Sequence, residues 1–265
     1  MSYLEIYDCT LREGEQAAGA CFSLENRIKL FQLLDEFGVD YIELGWPHAS
    51  REILESFELC KKIRKNAKIV AFGSTSISRD IEKDENLNSI VKSKADYACI
   101  FGKTNKEHVE KQLKTTSEEN LDRIYKSIKF LKDHEMKVFY DAEHYFDGFK
   151  EDENYAIATL IAATKAGAER IILCDTNGGM LPNEIEKIVA MTRKKLDENE
   201  IHVGLGVHLH NDQGLALANT LISLPYITQV QGTINGIGER IGNLNFSEFL
   251  PIYINKMENK LKINL

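Results

Sequence analysis

Gly167-Ala168-Glu169-Arg170-Ile171-Ile172-Leu173-Cys174-Asp175-Thr176-Asn177 is the stretch whose reading decides the fold. Gly167 can stop a helix, a short turn follows, and Ile171 to Cys174 is an apolar run of strand length. Three polar residues, Asp175, Thr176 and Asn177, come directly after it. Working outward in both directions, the same unit recurs. Apolar, β-rich runs occur at Leu4 to Tyr7, Tyr41 to Leu44, Ile69 to Phe72, Tyr97 to Phe101, Val138 to Tyr140, Val203 to Val207, and Gln229 to Gln231 with its neighbours. The spacing between runs is of helical period. Ser23 can cap a helix with Ile28, Phe31 and Leu34 on one face, and Gly38 stops it. Thr116 and Glu119 have capping-box spacing ahead of Leu121, Ile124, Ile128 and Leu131. Strands alternating with helices imply a parallel sheet, and eight such units imply closure into an α/β (β/α)8 TIM barrel. No low-complexity linker divides the chain, so residues 1–265 read as one barrel domain. Segment 78–93 is polar and reads as only partly ordered. One helix, roughly 245–262, is expected after the eighth strand.

The chain has 265 residues, 43% hydrophobic and 28% charged, with a formal net charge of −8. That length holds one large domain with a well-buried core. An acidic chain without a basic block is a poor partner for nucleic acid or an anionic membrane surface. No apolar run approaches the ~20 residues needed to span a bilayer. The opening MSYLEIYDCT has no basic or apolar leader character and does not read as a signal peptide. The five cysteines are scattered and form no CxxC pair. Together these features lead us to expect reduced thiols and a cytoplasmic location.

In a barrel of this kind chemistry sits where strands end and βα loops begin. The polar residues at those ends are Arg12, Glu13 and Gln16 after the first strand, and Lys103 after the fourth. Asp141, Glu143 and His144 follow the fifth, and Asp175, Thr176 and Asn177 the sixth. His208, His210, Asn211 and Asp212 follow the seventh, and Asn235 with a glycine-rich loop ending at Asn243 the eighth. A purely structural barrel has no need of so many polar groups at one rim.

His208-Leu209-His210 places two imidazoles on one face of a strand, and two convergent neutral imidazoles suit a divalent ion. A lone HxH is weak; its bland reading is two rim residues satisfied by loop carbonyls. Glu13 strengthens it, because the first and seventh strands both border the eighth. Two histidines and a carboxylate leave open positions for water and substrate. Asn243 could add an amide oxygen. Glu13 could equally be an exposed turn residue, and Gly14 beside it fits a tight turn bringing backbone close to a ligand. Arg12 either serves an anionic group of a substrate or makes a rim salt bridge to Glu239 or Asp8. Thr176 either donates to the same anionic group or closes a local turn or cap. Glu143 is either a general acid or base or merely orients a neighbour, with Asp141 and His144 as its nearest partners in sequence. The run from Gly236 to Asn243 opens no helix directly after a strand, which rules out a dinucleotide fingerprint.

Asp8-Cys9-Thr10-Leu11-Arg12-Glu13-Gly14-Glu15-Gln16, His208-Leu209-His210-Asn211-Asp212 and Asn235-Gly236-Ile237-Gly238-Glu239-Arg240-Ile241-Gly242-Asn243 resemble, in order, the three signatures of the DRE-TIM metallolyases. That family includes isopropylmalate, citramalate and homocitrate synthases and the hydroxymethylglutaryl-CoA lyases, and the similarity runs from residue 3 to about residue 255. Gly45-Trp46-Pro47, Ala71-Phe72-Gly73-Ser74-Thr75, Asp141 through Gly148 and Cys174 through Gly179 are most similar to the citramalate-type members. The resemblance implies that Glu13, His208 and His210 ligate a divalent metal (Mg, Mn or Zn), with Asn243 in or near its shell. It implies that Arg12 stabilises an enolate or oxyanion, that Thr176 holds a 2-oxo acid carboxylate with Gln16 also on the substrate, and that Glu143 takes part in proton transfer. The implied reaction is a Claisen condensation of acetyl-CoA with a 2-oxo acid.

Three features depart from the family pattern. Most members have Asp where this chain has Glu13, and Glu at that place resembles homocitrate synthase. His48-Ala49-Ser50-Arg51-Glu52 replaces a run of small and polar residues, so His48 and Arg51 read either as ligands for a second carboxylate or as surface residues. The helical and regulatory domains of the synthases, which homodimers use to complete the site, have no counterpart in the 265 residues. The alternatives are therefore a barrel-only lyase or aldolase, or a catalytically silent subunit served by a separate partner chain. No cysteine follows Cys174, whereas a cysteine-bearing loop near the eighth strand marks the hydroxymethylglutaryl-CoA lyases.

Overall fold

The computed structural model describes residues 3–78 and 80–263. Its centre is a closed parallel barrel of strands β1 (Glu5–Asp8), β2 (Tyr41–Gly45), β3 (Lys68–Ser74), β4 (Tyr97–Lys103), β5 (Lys137–Glu143), β6 (Arg170–Asp175), β7 (Gly204–Leu209) and β8 (Gln229–Gly232). Closure is made by β1, which pairs with β2 on one side (Tyr7 opposite Tyr41) and with β8 on the other (Tyr7 opposite Gln231). The eight runs read from the sequence are these strands. The seventh extends further than its apolar stretch, because His208 continues the pairing, opposite both Cys174 and Gln231.

The outer ring begins with a short turn of helix, α1 (Thr10–Glu13), directly after β1. The helices α2 (Leu24–Phe37), α3 (Arg51–Ile63), α4 (Glu85–Ser93), α5 (Lys106–Lys111), α6 (Ser117–Asp133), α7 (Tyr145–Glu151), α8 (Glu153–Lys165), α9 (Pro182–Glu198) and α10 (Ala216–Ser223) follow. Local chemistry sets their ends. Ser23 Oγ accepts from Asn26 N at 3.3 Å to open α2, and Gly38 closes it at φ 95°, a conformation that costs glycine little. Thr116 Oγ1 accepts from Glu119 N at 3.2 Å at the start of α6.

Two sequence expectations are corrected here. Residues 80–93 form a 3-10 turn (Ile81–Lys83) and then α4, whereas residue 79 lies outside the described residues. Asp84 caps that helix by accepting from Leu87 N at 2.8 Å, and Leu87 and Ile90 are fully buried beneath a polar outer face. The C-terminal helix is short: α11 (Phe246–Pro251) gives way to a π-helical turn at Ile252–Lys256. Pro251 has no N–H to continue the α ladder, and wider turns are one way a chain absorbs that loss.

Two apolar regions result. One fills the space between strands and helices. The other plugs the barrel interior, where Tyr7, Tyr41, Tyr97 and Phe139 pack in stacked, tilted and edge-on pairs with ring centroids 4.7–6.2 Å apart. This floor closes one end of the barrel, so a ligand can enter only at the C-terminal ends of the strands.

Candidate metal centre and substrate cavity

The turn of α1 is what brings Arg12 and Glu13 to the barrel mouth. Glu13 N donates to Cys9 O at 2.8 Å, folding the chain back as soon as β1 ends. Asp8 secures the turn by accepting from Thr10 N (3.0 Å) and Thr10 Oγ1 (2.8 Å), and Thr10 Oγ1 in turn accepts from Ile234 N at 2.9 Å. The loop after β8 is thereby tied to the loop after β1. That loop returns to β7, where Asn243 bridges His210 in antiparallel fashion and Leu244 N donates to Leu209 O at 3.1 Å.

Glu13, His208 and His210 each offer a ligand atom, and these atoms lie within 4.8 Å of one another. All three residues are buried. A divalent ion about 2.0–2.2 Å from each would draw them only slightly closer. His208 Nε2 lies 3.9 Å from Glu13 Oε1, and its Nδ1 is engaged by Gln231 Oε1 at 2.9 Å. Burial, then the neighbouring His210 and Arg12, hold His208 well below the ordinary histidine range. Burial, followed by the charges of Arg240 and Arg12 and the neighbouring His144, pushes His210 down to about 3. Both rings are therefore neutral at pH 7, the form that binds metal. Asn243 Nδ2 donates to Glu13 Oε2 at 3.1 Å, while Asn243 Oδ1 and His210 Nδ1 are buried with no hydrogen-bond partner among the described residues. An unsatisfied buried amide oxygen beside a carboxylate and two imidazoles is what a missing cation would leave, so the donor set fits a divalent ion.

Glycines shape this shell. A Cβ on Gly238 would fall 2.1 Å from Asn243 Nδ2 and 3.4 Å from Glu13 Oε2. Gly14, expected to allow a backbone approach to a ligand, has an ordinary helical φ of −60°; its space is taken by Ile237 Cδ1, 2.7 Å from where a Cβ would stand.

The rim salt bridge offered as the alternative reading of Arg12 is not the one formed. Asp8 faces Thr10, and Glu239 pairs with Arg240 at 3.0 Å. Arg12 Nε instead donates to Glu43 Oε1 at 2.5 Å, its Nη1 contacts Glu13 Oε1, and the guanidinium lies 3.9 Å over the Phe72 ring. Glu43 is fully buried and also accepts from Tyr7 Oη at 2.5 Å. Burial alone would lower the guanidinium's proton affinity, but Glu43 outweighs it, and Arg12 is held firmly charged. Gln16 sits beside this pair and, with its amide nitrogen turned to Glu13, donates to both carboxylate oxygens at 3.1 and 3.2 Å.

On the opposite wall, Thr176 Oγ1 accepts from His144 N at 2.8 Å. Its own proton is therefore free to be donated into the cavity, and it closes no turn within its own loop. Glu143 Oε2 pairs with Lys103 Nζ at 2.8 Å, and neither Asp141 nor His144 is its partner. Asp141 Oδ1 instead accepts from Cys99 Sγ (3.1 Å) and Gln231 Nε2 (3.3 Å), and burial, then Glu43, pushes its carboxyl up to about 7.

Arg12, Glu13, Gln16, Glu143, Thr176, His208 and His210 all line one cavity of about 320 Å³. Its apolar side is Trp46, Phe72 and Phe101, whose rings pack with centroids 5.4–6.0 Å apart. His48 and Arg51 are exposed and line a separate shallow depression with Lys83 and Lys92. Sequence reading missed Glu43, Gln231 and Phe72. A charged residue inside the apolar run Tyr41–Leu44, and glutamines two apart in Gln229-Val230-Gln231, were the available signals. Among the described residues no helix is long and apolar enough to cross a membrane.

The family model HMGL-like matches residues 3–264. The chain is 46% identical over 249 residues to (R)-citramalate synthase of Aquifex aeolicus, covering 93% of this chain and 46% of that protein. It is 35% identical over 253 residues to 2-isopropylmalate synthase of Sulfurisphaera tokodaii, covering 92% of this chain and 60% of that one. It spans about half the length of the curated citramalate synthases it matches. The crystal structure of Bacillus subtilis HMG-CoA lyase superposes with a TM-score of 0.82 at 18% identity, over 99% of this chain and 89% of that one, which is a likeness of fold. By signature, barrel and metal-ligand geometry together, the chain belongs to the HMGL-like (DRE-TIM) family.

Proposed function

We propose that this barrel catalyses the metal-dependent condensation of acetyl-CoA with a 2-oxo acid, and that the acid is pyruvate. The observation that carries the reading is the placement of Arg12, Thr176 and Glu143 around the same cavity as the Glu13, His208 and His210 cluster. Similarity to (R)-citramalate synthases supports the choice of acid, because the citramalate skeleton disconnects into pyruvate and an acetyl unit. The wall of Trp46, Phe72 and Phe101 is apolar and tight, and suits a methyl group rather than a second carboxylate.

Glu13, His208 and His210 would hold the ion, with the Asn243 amide oxygen beside it. When bound, the ion supplies Lewis-acid polarisation of the 2-oxo acid carbonyl. Thr176 donates its free hydroxyl proton to the substrate carboxylate and fixes the acid against β6. Arg12, locked by Glu43 and Phe72, presents fixed positive charge to the oxygen on which negative charge develops. The methyl of acetyl-CoA loses a proton, its carbon attacks the ketone carbon, and the new alkoxide takes up a proton; hydrolysis of the thioester then releases CoA. Glu143, paired with Lys103 at 2.8 Å, is the group we assign to proton transfer in this sequence.

The test is thiol release by the metal-loaded chain given acetyl-CoA with pyruvate, 2-oxoisovalerate or 2-oxoglutarate. Release that requires pyruvate and metal and is lost in Glu143→Ala is expected. No release with any of the three acids, alongside intact metal binding, overturns the assignment of this reaction to this chain.

A further inference from the structure

A continuous hydrogen-bonded chain runs beneath the candidate metal centre. Cys99 Sγ donates to Asp141 Oδ1 at 3.1 Å, Gln231 Nε2 donates to the same oxygen at 3.3 Å, and Gln231 Oε1 faces His208 Nδ1 at 2.9 Å. Every member is at least nine-tenths buried, so no water competes for these bonds. The four side chains come from β4, β5, β8 and β7, so they converge only when the barrel closes.

The amide is the decisive element. A Gln side chain has one donating and one accepting end, and its orientation is usually ambiguous. Here Asp141 Oδ1 already accepts from the Cys99 thiol, so it is an acceptor toward the amide as well: the Nε2 end faces it and the Oε1 end faces His208. An oxygen acceptor at 2.9 Å requires a proton on His208 Nδ1. A neutral ring protonated there has its lone pair on Nε2, the atom 3.9 Å from Glu13 Oε1. We propose that Gln231 is a positioning residue for the metal centre, oriented by Asp141 so that His208 is held as the Nδ1–H tautomer with its Nε2 lone pair aimed at the ion.

A ligating histidine whose second nitrogen is so fixed needs no tautomer change and no ring flip before it binds. His210 contrasts with it, because among the described residues its Nδ1 has no hydrogen-bond partner. The two imidazoles are therefore unequal: the His208 ring is pre-set by the barrel interior, whereas His210 is tied to Asn243 by a backbone bridge, which leaves its ring unfixed.

This inference rests on the reading of His208 as a metal ligand, and the experiment separates the two. Long-range proton–nitrogen correlation spectra of the metal-free chain at pH 7.5, labelled with nitrogen-15 in histidine, report the tautomer of each ring directly. Wild type is expected to show His208 as the Nδ1–H form alone. Gln231→Met, which keeps the volume and removes the acceptor, is expected to give a mixed or Nε2–H ring and to weaken zinc or manganese binding by roughly 10–100-fold. Gln231→Glu, which keeps an oxygen acceptor, is expected to restore the Nδ1–H form. An Nε2–H ring in the wild type overturns the proposal without recourse to any variant. So does a folded Gln231→Met that keeps both the wild-type tautomer and the wild-type affinity. Unchanged metal affinity in His208→Ala would overturn instead the assignment of His208 as a ligand, whatever the tautomer.

Discussion

Glu43→Gln is the substitution that most sharply separates a positioned Arg12 from one that merely lies in the cavity. Glu43 is fully buried and holds two donors, Arg12 Nε and Tyr7 Oη, each at 2.5 Å. The amide has the same shape but no charge and a single accepting oxygen. Removing one partner of a buried ion pair costs about 3–5 kcal/mol, because the other charge is left uncompensated. Arg12 retains one carboxylate, Glu13, so the lower end of that range, about 3 kcal/mol, is the expected loss. For a domain of this size that is a fall in Tm of about 6 °C or more. Two functional effects follow. The guanidinium relaxes toward Glu13 and competes with the ion, so metal affinity drops. Its charge is also displaced from the developing oxyanion, and loss of one such positioned group costs about 100–1,000-fold in kcat. Calorimetry, metal titration and thiol release on the same preparations check all three. A Tm within about 1 °C of wild type with unchanged kcat, the signature of a surface change, would refute the reasoning.

Gly238→Ala places a methyl 2.1 Å from Asn243 Nδ2, breaking that residue's bond to Glu13; metal affinity is expected to fall about 10–100-fold while the fold survives, as titration calorimetry and circular dichroism would show. Arg240 clamps Asp212 through Nε (2.7 Å) and Nη2 (2.9 Å) and also donates to Thr176 O at 2.7 Å. Arg240→Ala should therefore raise KM for the 2-oxo acid several-fold with at most about 1 kcal/mol of stability lost, since the ion pair itself is partly exposed. Burial, partly offset by its bonds to Thr10, pushes the Asp8 carboxyl up to about 7. An acid whose folded pKa is raised binds more protons folded than unfolded, so stability falls as pH climbs from about 4 to 7. Asp8→Asn should flatten that slope in urea melts at pH 5 and pH 8.

Much of this architecture is legible in the chain because the barrel repeats one unit. Each strand is an apolar run fully covered on the outside by a helix, and the turn residues Gly38 and Gly167 punctuate it. The rim residues were legible for the same reason: a polar group directly after a buried run has few structural uses. Glu43, Gln231 and Asp141 were harder to read. They point into the barrel, and their partners (Arg12, His208 and Cys99) lie 31, 23 and 42 residues away in sequence, so their pairing depends on closure rather than on local pattern. The partner of Glu143 was misjudged for a related reason. Asp141 is near it in sequence, but Lys103 lies opposite Glu143 in the β4–β5 pairing. The C-terminal helix was overestimated because helical periodicity continues past Pro251, where the α ladder gives way to a π turn that ends at Lys256.

The measurement that tests the central claim most directly is carbon NMR of the product formed from acetyl-CoA labelled at its methyl carbon and unlabelled pyruvate, with metal-loaded chain. The account predicts a new enriched methylene bonded to the former ketone carbon, as in citramalate, appearing only with metal and absent from a His208→Ala, His210→Ala double variant. A label that stays in acetyl-CoA or emerges as acetate, with metal stoichiometrically bound, would contradict it.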